Sequence, residues 1–465
     1  MRAYLKTLIK KGPPSLVRWG HVLYDLMPPS LRYGKPWTEA FSLVKETERW
    51  DKRRLIQYQE ERLECLLLHC YENVPYYRQV FQERDLKPGD IQSIDDLKKL
   101  PTLTKETVRK RKDDLLATNV SAFERDPAHT SGSSGTPLDF FMDKTTRPLD
   151  RALVLRHLMS LGYGKGDRLA FFNGLPLADP DMLSLYLPGS RELRLTFHQV
   201  DDRRLEMMVD RLEQFRPAFI NAWPSCLYIL AKWMEKNNRS IPPPKYIVTS
   251  SETQYPHIRE KVESVFRCRV IDWYGQEESC AVAVQCPLGQ GYHIQMEMGL
   301  IEMLPAADDH RRIIGTCLHN AAMPFVRYET GDLAVEGDGN CPCGRPHPTV
   351  QKILGRQADF VVTPEGSIVS PLILHFSFYN LDEIREAQII QEDLNTLRIL
   401  IAPWECISAD TKEKVLREMR SRLQSPGMQL IIEEVDCIPS APNCFKKPFL
   451  VSRVPLDDRF PAFKD

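Results

Sequence analysis

The spacing of apolar residues separates a helical beginning of the chain from a mixed remainder. Residues 46–81 contain many charges and no glycine, and Leu55, Leu63, Leu66 and Leu67 recur at helical spacing. This pattern predicts a long amphipathic helix. We therefore expect a helical N-terminal region over residues 1–95.

After residue 126 the pattern changes to short runs of β-branched or aromatic residues separated by helix-like segments. The runs at 168–173, 245–249 and 270–273 predict strands, and residues 256–266 predict a helix. Such alternation is typical of an α/β fold. Residues 96–355 are expected to form one large α/β domain.

The pattern changes again near residue 355. Beyond a polar stretch, residues 397–402 and 429–435 predict strands and residues 411–423 predict a helix. We expect a small α+β domain over residues 356–465, joined to the large domain by a hinge.

Charge and composition narrow the function. The 62 basic and 63 acidic residues of this 465-residue chain nearly cancel, which argues against nucleic acid as a partner. No apolar stretch is long enough to span a bilayer. Twelve cysteines without a signal-peptide pattern indicate a reducing compartment, and we expect the cytoplasm. The basic N-terminus fits either a solvated helical arm or contact with an anionic membrane surface.

A loop rich in glycine and hydroxyl groups is the first candidate for binding chemistry. Residues 130–137 contain two glycines and five hydroxyl side chains, so backbone N–H groups and hydroxyls can converge on phosphate. The segment lacks the lysine of a Walker loop, and a plain surface turn is the alternative. The candidate ligands are Ser131, Gly132, Ser133, Ser134, Gly135 and Thr136.

Three further motifs follow in order: Ser251-Glu252 after a predicted strand, Tyr274-Gly275-Gln276-Glu277-Glu278, and Arg327-Tyr328-Glu329-Thr330-Gly331-Asp332. With the 130–137 loop, this series resembles the adenylate-forming superfamily. Within that superfamily it resembles the phenylacetate–CoA ligase branch, especially its CapK and coenzyme F390 synthetase-like members. The similarity extends from about residue 95 to the C-terminus.

The resemblance implies a role for each motif. Ser251 and Glu252 would line the adenine pocket. Tyr274 would stack on adenine, Gly275 would allow close backbone approach, and Gln276 belongs to the same motif. Glu278 would bind Mg²⁺, with Glu277 as the neighbour most easily confused with it. Asp332 would accept hydrogen bonds from the ribose hydroxyls.

The C-terminal part of the chain matches the family's motifs less closely. Arg356 and Asp359 resemble the hinge motif, with Arg356 near the nucleotide and Asp359 as the pivot. Lys446 resembles the catalytic lysine, and Lys447 competes with it because the usual glycine is missing. Thr136 and Ala358 also depart from residues common in the family.

Cysteine and histidine residues in two Gly- and Pro-containing loops form a candidate metal site. Cys286, His293, Cys341 and Cys343 offer three thiolates and an imidazole, a set that suits tetrahedral Zn²⁺. The resemblance supports a structural zinc. Cys280, Cys317 and His319 lie in the same region and compete as ligands.

Together these features imply an AMP-forming acid ligase. ATP with Mg²⁺ would activate a carboxylic acid as its acyl-adenylate, and CoA is the expected acceptor, with an amine or hydroxyl as the alternative. A further alternative is a nucleotide-binding protein without catalytic activity. The sequence does not decide whether the protein forms a homodimer. Six residues fit either the lining of the acid pocket or the hydrophobic core: Phe171, Phe172, Asn173, Trp223, Tyr246 and Trp273.

Overall fold

A computed structural model gives the architecture of the protein. It describes residues 14–130, 138–173, 177, 182–197, 202–288, 291–306, 310–339, 341–356, 361–365, 368–369, 374, 376–378, 381–439 and 448–454. Within these ranges no helix has the length and hydropathy needed to cross a membrane.

The chain begins with helices that pack on the large domain. The first six are α1 Pro14–Leu26, α2 Pro29–Tyr33, α3 Lys35–Thr47, α4 Lys52–Asn73, α5 Pro75–Glu83 and α6 Lys105–Lys110, with 3₁₀ turns at Pro88–Asp90 and Asp95–Lys99. Leu63, Leu67 and Phe81 from α4 and α5 are buried against Phe325 and Tyr328. These helices therefore share a core with the large domain.

The prediction of one continuous helix over residues 46–81 is wrong, because α4 and α5 are separate helices. Asp51 accepts the backbone N–H of Arg54 at 2.8 Å and caps the start of α4. The helix ends at Asn73 because Val74 precedes Pro75 and adopts an extended conformation. Pro75 then occupies the first position of α5, where its missing N–H is tolerated.

In the described part of the chain, twelve strands form one mixed sheet. The strands of this sheet and of a separate hairpin are β1 Arg125–His129, β2 Asp139–Asp143, β3 Leu169–Asn173, β4 Ser184–Leu187, β5 Glu192–Thr196, β6 Phe219–Ala222, β7 Tyr246–Ser250, β8 Arg269–Tyr274, β9 Ala283–Gln285, β10 Tyr292–Ile294, β11 Gly299–Pro305, β12 His310–Cys317, β13 Tyr328–Glu336 and β14 Thr349–Arg356. The order of the large sheet is β11-β12-β13-β14-β10-β9-β8-β7-β6-β3-β5-β4, and β5, β3, β6, β7 and β8 run parallel. The hairpin pairs β1 with β2.

Helices cover both faces of the parallel strands. They are α7 Thr146–Ser160, α8 Asp202–Phe215, α9 Pro224–Lys236 and α10 Pro256–Phe266. Helix α7 packs with α3 on one face, against Phe219, Val248 and Ile271. The other three cover the opposite face. The interior residues of β7 are buried on both faces, as expected for a central parallel strand.

The C-terminal part forms a smaller sheet with one helix. Strands β17 Ile384–Asp393, β18 Thr396–Pro403, β19 Gln429–Glu434 and β20 Leu450–Ser452 have the order β19-β18-β17-β20, and α11 Ala409–Leu423 packs on them. Before them lie a pair of two-residue strands, β15 Val361–Val362 and β16 Ile368–Val369, and a 3₁₀ turn at Phe376–Phe378. The α/β fold with a small C-terminal α+β domain is confirmed, and the domain boundaries stay predictions.

Candidate active site

A cavity of about 750 Å³ lies at the carboxyl ends of the parallel strands β3, β6, β7 and β8. The small C-terminal domain closes one side of it through Phe378, Ile384 and Phe449. Ligands of open α/β sheets bind outside the carboxyl ends of the strands. This cavity is therefore the candidate active site.

Two of the predicted nucleotide residues meet inside the cavity. The hydroxyl of Tyr274, at the end of β8, donates to Oδ2 of Asp332 on β13 at 2.7 Å, and Nε2 of Gln276 donates to the Tyr274 oxygen at 2.9 Å. Burial, reinforced by the Asp332 carboxylate, raises the pKa of Tyr274 well above its usual value. The phenol therefore stays protonated and orients the carboxylate toward the cavity.

Glu278 lines the cavity from a buried position. The Tyr328 hydroxyl donates to its Oε1 at 2.6 Å, which leaves Oε2 for another partner. Glu277 also lines the cavity but is exposed, with Oε2 lying 3.8 Å from Nη2 of Arg147. The two neighbouring carboxylates thus differ in burial, and Glu278 is the one held in place.

The segment after β7 has a strained turn at the cavity. Ser251 has a φ of 73°, in the left-handed region, and it lines the cavity together with Glu252. The Glu252 carboxylate accepts from the backbone N–H and from the hydroxyl of Ser225, each at 3.0 Å. Glu252 therefore stabilises the start of α9 and also lines the cavity. The sequence alone did not distinguish between a helix-capping residue and a pocket residue at this position.

Strand β14 brings the backbone of Arg356 next to Asp332. Asp332 pairs with Arg356 in the β13–β14 register, and Gly355 has a φ of 92°. A Cβ atom on Gly355 would lie 2.8 Å from Oγ1 of Thr253, so this position requires glycine. Gly275 has no positive φ, and a Cβ there would lie 3.1 Å from Nε1 of Trp273.

Several predicted site residues lie outside the described residues. They are Ser131, Gly132, Ser133, Ser134, Gly135, Thr136, Asp359, Lys446, Lys447 and the side chain of Arg356. Their roles stay predictions. His129 and Thr130, which immediately precede the predicted phosphate loop, line the cavity.

The cavity is also lined by residues that the sequence did not single out. Helix α7 contributes Asp150, Val154 and His157, and β6 contributes Asn221. Burial and the nearby Glu277 raise the pKa of Asp150 to about 6. No motif marks these residues, because their position depends on how α7 lies across the sheet.

The six candidates for the acid pocket divide into two groups. Phe171, Asn173, Trp223 and Trp273 line the cavity. Phe172 is fully buried in the core on the opposite face, because neighbouring residues of a strand point to opposite faces. Tyr246 stacks on Phe219 away from the cavity, with the ring centroids 6.3 Å apart.

A second cluster brings together the four predicted metal ligands. One ligand atom from each of Cys286, His293, Cys341 and Cys343 lies within 4.8 Å of the others. The sulfurs of Cys286 and Cys341 are 3.4 Å apart, and Nε2 of His293 is 3.2 Å from the sulfur of Cys343. Burial lowers the pKa of His293 to about 4, so its ring is neutral near pH 7.

The competing ligands lie elsewhere. Cys280 and Cys317 are buried in the core shared with the N-terminal helices. Nε2 of His319 lies 2.8 Å from the carbonyl oxygen of Glu297 and 3.3 Å from the hydroxyl of Tyr58. The spatial grouping favours the four residues first predicted.

Comparisons with known proteins agree with this architecture. Residues 361–446 match the CapK C-terminal domain family. The phenylacetate–coenzyme A ligase of Thermus thermophilus is 29% identical over 335 residues, covering 68% of this chain and 74% of that protein. The phenylacetate–coenzyme A ligase of Escherichia coli K12 is 27% identical over 416 residues, covering 84% of this chain and 93% of that protein.

Among solved structures, a 2-hydroxyisobutyryl-CoA ligase in a postadenylation state has a TM-score of 0.64 at 18% identity and covers 92% of this chain and 91% of its own. This likeness shows a shared fold. The chain is thus similar in sequence to phenylacetate–coenzyme A ligases over two thirds or more of its length, and its residues 361–446 match the CapK C-terminal domain family.

Proposed function

We propose that this protein activates a carboxylic acid with ATP and then transfers the acyl group to CoA. In the first step a carboxylate oxygen of the acid attacks the α-phosphorus of ATP and pyrophosphate leaves. In the second step the thiolate sulfur of CoA attacks the acyl carbon of the adenylate and AMP leaves. Relatives named as phenylacetate–coenzyme A ligases support this assignment.

The observation that carries the proposal is the pairing of Asp332 with Tyr274 in a cavity that also contains Glu278. A buried, oriented carboxylate is suited to accept hydrogen bonds from ribose hydroxyls. The ring of Tyr274 provides an apolar face for the base. Glu278, held by Tyr328, would bind Mg²⁺, which neutralises phosphate charge when it is bound.

The remaining predicted residues keep their roles in this proposal. The loop from Ser131 to Thr136 would bind phosphates, and Lys446 or Lys447 would stabilise charge in the adenylation step. Rotation about Asp359 would allow the C-terminal domain, residues 356–465, to serve both steps.

A structural zinc site completes the proposal. Four donors at tetrahedral Zn–S distances would lie about 3.8 Å apart, and the cluster of Cys286, His293, Cys341 and Cys343 within 4.8 Å fits that requirement. Nδ1 of His293 lies 3.4 Å from the carbonyl oxygen of His347. This contact favours the tautomer that leaves Nε2 free for a metal. With four protein ligands, Zn²⁺ would join two loops and would not activate water.

Pyrophosphate release from ATP, measured over a panel of aryl, fatty and amino acids, tests the adenylation step. We expect release to depend on the acid. Glu278→Gln should lower the rate about 100-fold or more, because charge stabilisation at a transferring phosphoryl group contributes several kcal/mol. Glu277→Gln is the matched comparison, since the two carboxylates are neighbours. An equal loss in both variants would contradict the assignment of Glu278.

Measurements of ATP binding and of the acyl product separate the alternatives. Asp332→Asn should weaken ATP binding, whereas Glu336→Gln, an exposed carboxylate on the same strand, should not. Adding CoA or a primary amine after adenylation and identifying the acyl product distinguishes a thiol acceptor from an amine acceptor. ATP binding without pyrophosphate release across the panel would favour a nucleotide-binding protein without catalysis.

A further inference from the structure

One part of the cavity is a compartment between α7 and the sheet. Asp150, Val154 and His157 lie four and then three residues apart, so one face of α7 points into it. Across from them, Phe171, Asn221 and Val248 are register partners on β3, β6 and β7 and share a sheet face. The proposed nucleotide residues Tyr274 and Asp332 lie on β8 and β13.

His157 has an unusual environment in this compartment. Only 3% of its surface is exposed, and neither ring nitrogen has a hydrogen-bond partner among the described residues. Its ring lies 5.8 Å from the ring of Trp273 at an angle of 53°, which is an aromatic contact. Burial, with smaller contributions from Arg345 and Arg156, lowers the pKa of His157 to about 3. The ring is therefore neutral near pH 7 and offers one donor and one acceptor.

Asn221, on strand β6, has the same feature. Its Oδ1 atom is buried and has no hydrogen-bond partner among the described residues, and the residue lines the same cavity. Buried polar atoms without partners are rare in folded proteins because each one is destabilising. Three residues with such atoms line the cavity, His157, Asn221 and Gln254. His157 and Asn221 share it with the apolar residues Val154, Phe171 and Val248. The missing partner is best supplied by a bound molecule.

We propose that the acid bound here is an aromatic carboxylic acid with a hydroxyl substituent remote from its carboxylate, and that His157 and Asn221 bind this hydroxyl. This inference rests on the proposed function. A hydroxyl both donates and accepts, so it complements an amide oxygen and a neutral imidazole. The walls formed by Phe171 and Trp273 suit an aromatic ring. His157 and Asn221 thus act as specificity-determining residues.

Matched pairs of acids test the proposal: benzoate against 3- and 4-hydroxybenzoate, and phenylacetate against 3- and 4-hydroxyphenylacetate. We expect the kcat/KM of pyrophosphate release to be at least tenfold higher for a hydroxy acid than for its parent, because the parent leaves both protein groups unpaired. In His157→Phe this ratio should fall to about threefold or less, with release from the parent acid retained. Asn221→Ala provides a second, independent variant. Met159→Ala, an exposed position on α7, is the control and should keep the wild-type ratio.

A binding measurement keeps this inference separate from the proposed function. The rise in melting temperature caused by each acid is measured without ATP, in wild type and in His157→Phe, which also shows whether the variant folds. A larger rise with the hydroxy acid in wild type alone supports the inference even if no pyrophosphate is released, in which case the proposed function fails. Equal responses to both members of every pair, or a preference unchanged in both His157→Phe and Asn221→Ala, would overturn it.

Discussion

The hydroxyl of Tyr274 donates a 2.7 Å hydrogen bond to the carboxylate of Asp332, 58 positions along the chain. The first residue ends a parallel strand and the second lies on an antiparallel strand of the same sheet. This contact joins two motifs that are far apart in sequence. It also keeps the carboxylate in one orientation before a nucleotide is bound.

Removal of this hydroxyl should weaken nucleotide binding while the ring is retained. In Tyr274→Phe we expect the Kd for ATP to rise about tenfold, because a hydrogen bond to a charged group contributes roughly 1.5 kcal/mol. Isothermal titration calorimetry measures the change. Tyr292→Phe is a useful comparison, since its hydroxyl donates to Asp272 at 2.9 Å on the same sheet. An unchanged Kd in Tyr274→Phe would show that Asp332 does not need this orientation.

Lys232 connects the two domains. Its side chain is buried, and Nζ donates to the carbonyl oxygens of Leu381, at 3.1 Å, and Ile384. Lys232→Met would leave both carbonyls without this donor, at a cost of about 1–3 kcal/mol. We expect faster amide hydrogen exchange in β17, measured by mass spectrometry.

The matched control for Lys232→Met is Lys236→Met on the same helix. Lys236 also contacts the C-terminal domain, but its pair with Glu405 at 3.1 Å is solvent-exposed, so its removal should have little effect on stability. Equal exchange in wild type and Lys232→Met would show that the domains are held together by other contacts.

The proposed zinc site predicts a metal content that depends on each ligand. Freshly purified wild type should contain about one zinc per chain by elemental analysis. Cys343→Ser should lose most of it and melt at a lower temperature, because metal binding stabilises the folded loops. Cys65→Ser, at an exposed thiol on α4, should retain the metal. Wild type without zinc would refute the site.

A buried ion pair predicts a stability change at acidic pH. Glu297 is fully buried, and it accepts from Oγ1 of Thr47 at 2.6 Å and from the guanidinium of Arg156. Burial alone would raise the pKa of Glu297, but the charge and hydrogen bonds of Arg156, together with His347, lower it below the usual 4.5. Glu297→Gln should destabilise the protein by about 3 kcal/mol at pH 7, because Arg156 loses its counter-charge.

The pH dependence follows from the direction of this shift. Below about pH 4.5 the unfolded chain binds a proton at this position and the folded chain does not. The stabilisation is therefore present above pH 4.5 and is lost as the pH falls. Urea unfolding of wild type and Glu297→Gln should give free energies that converge below pH 4.5. A constant difference down to pH 3 would contradict the assigned pKa direction.

The sequence by itself determined the local elements and the order of the motifs. The helix predicted over residues 256–266 is α10, Pro256–Phe266, and the strands predicted at 245–249 and 270–273 are β7 and β8 within one residue at each end. Periodicity and turn residues are local signals, so they can be read directly from the chain. The three cysteines and one histidine of the proposed zinc site could also be identified from the sequence, because few residue types bind zinc.

Only the tertiary structure decided which side chains share the cavity. The crossing of α7 over the sheet brings His157 into the lining of the same cavity as Asn221. No local pattern marks either residue, since a histidine on an apolar helical face looks like core. Their unpaired polar atoms depend on what lies across the cavity, and contacts between distant segments are set by packing and strand register.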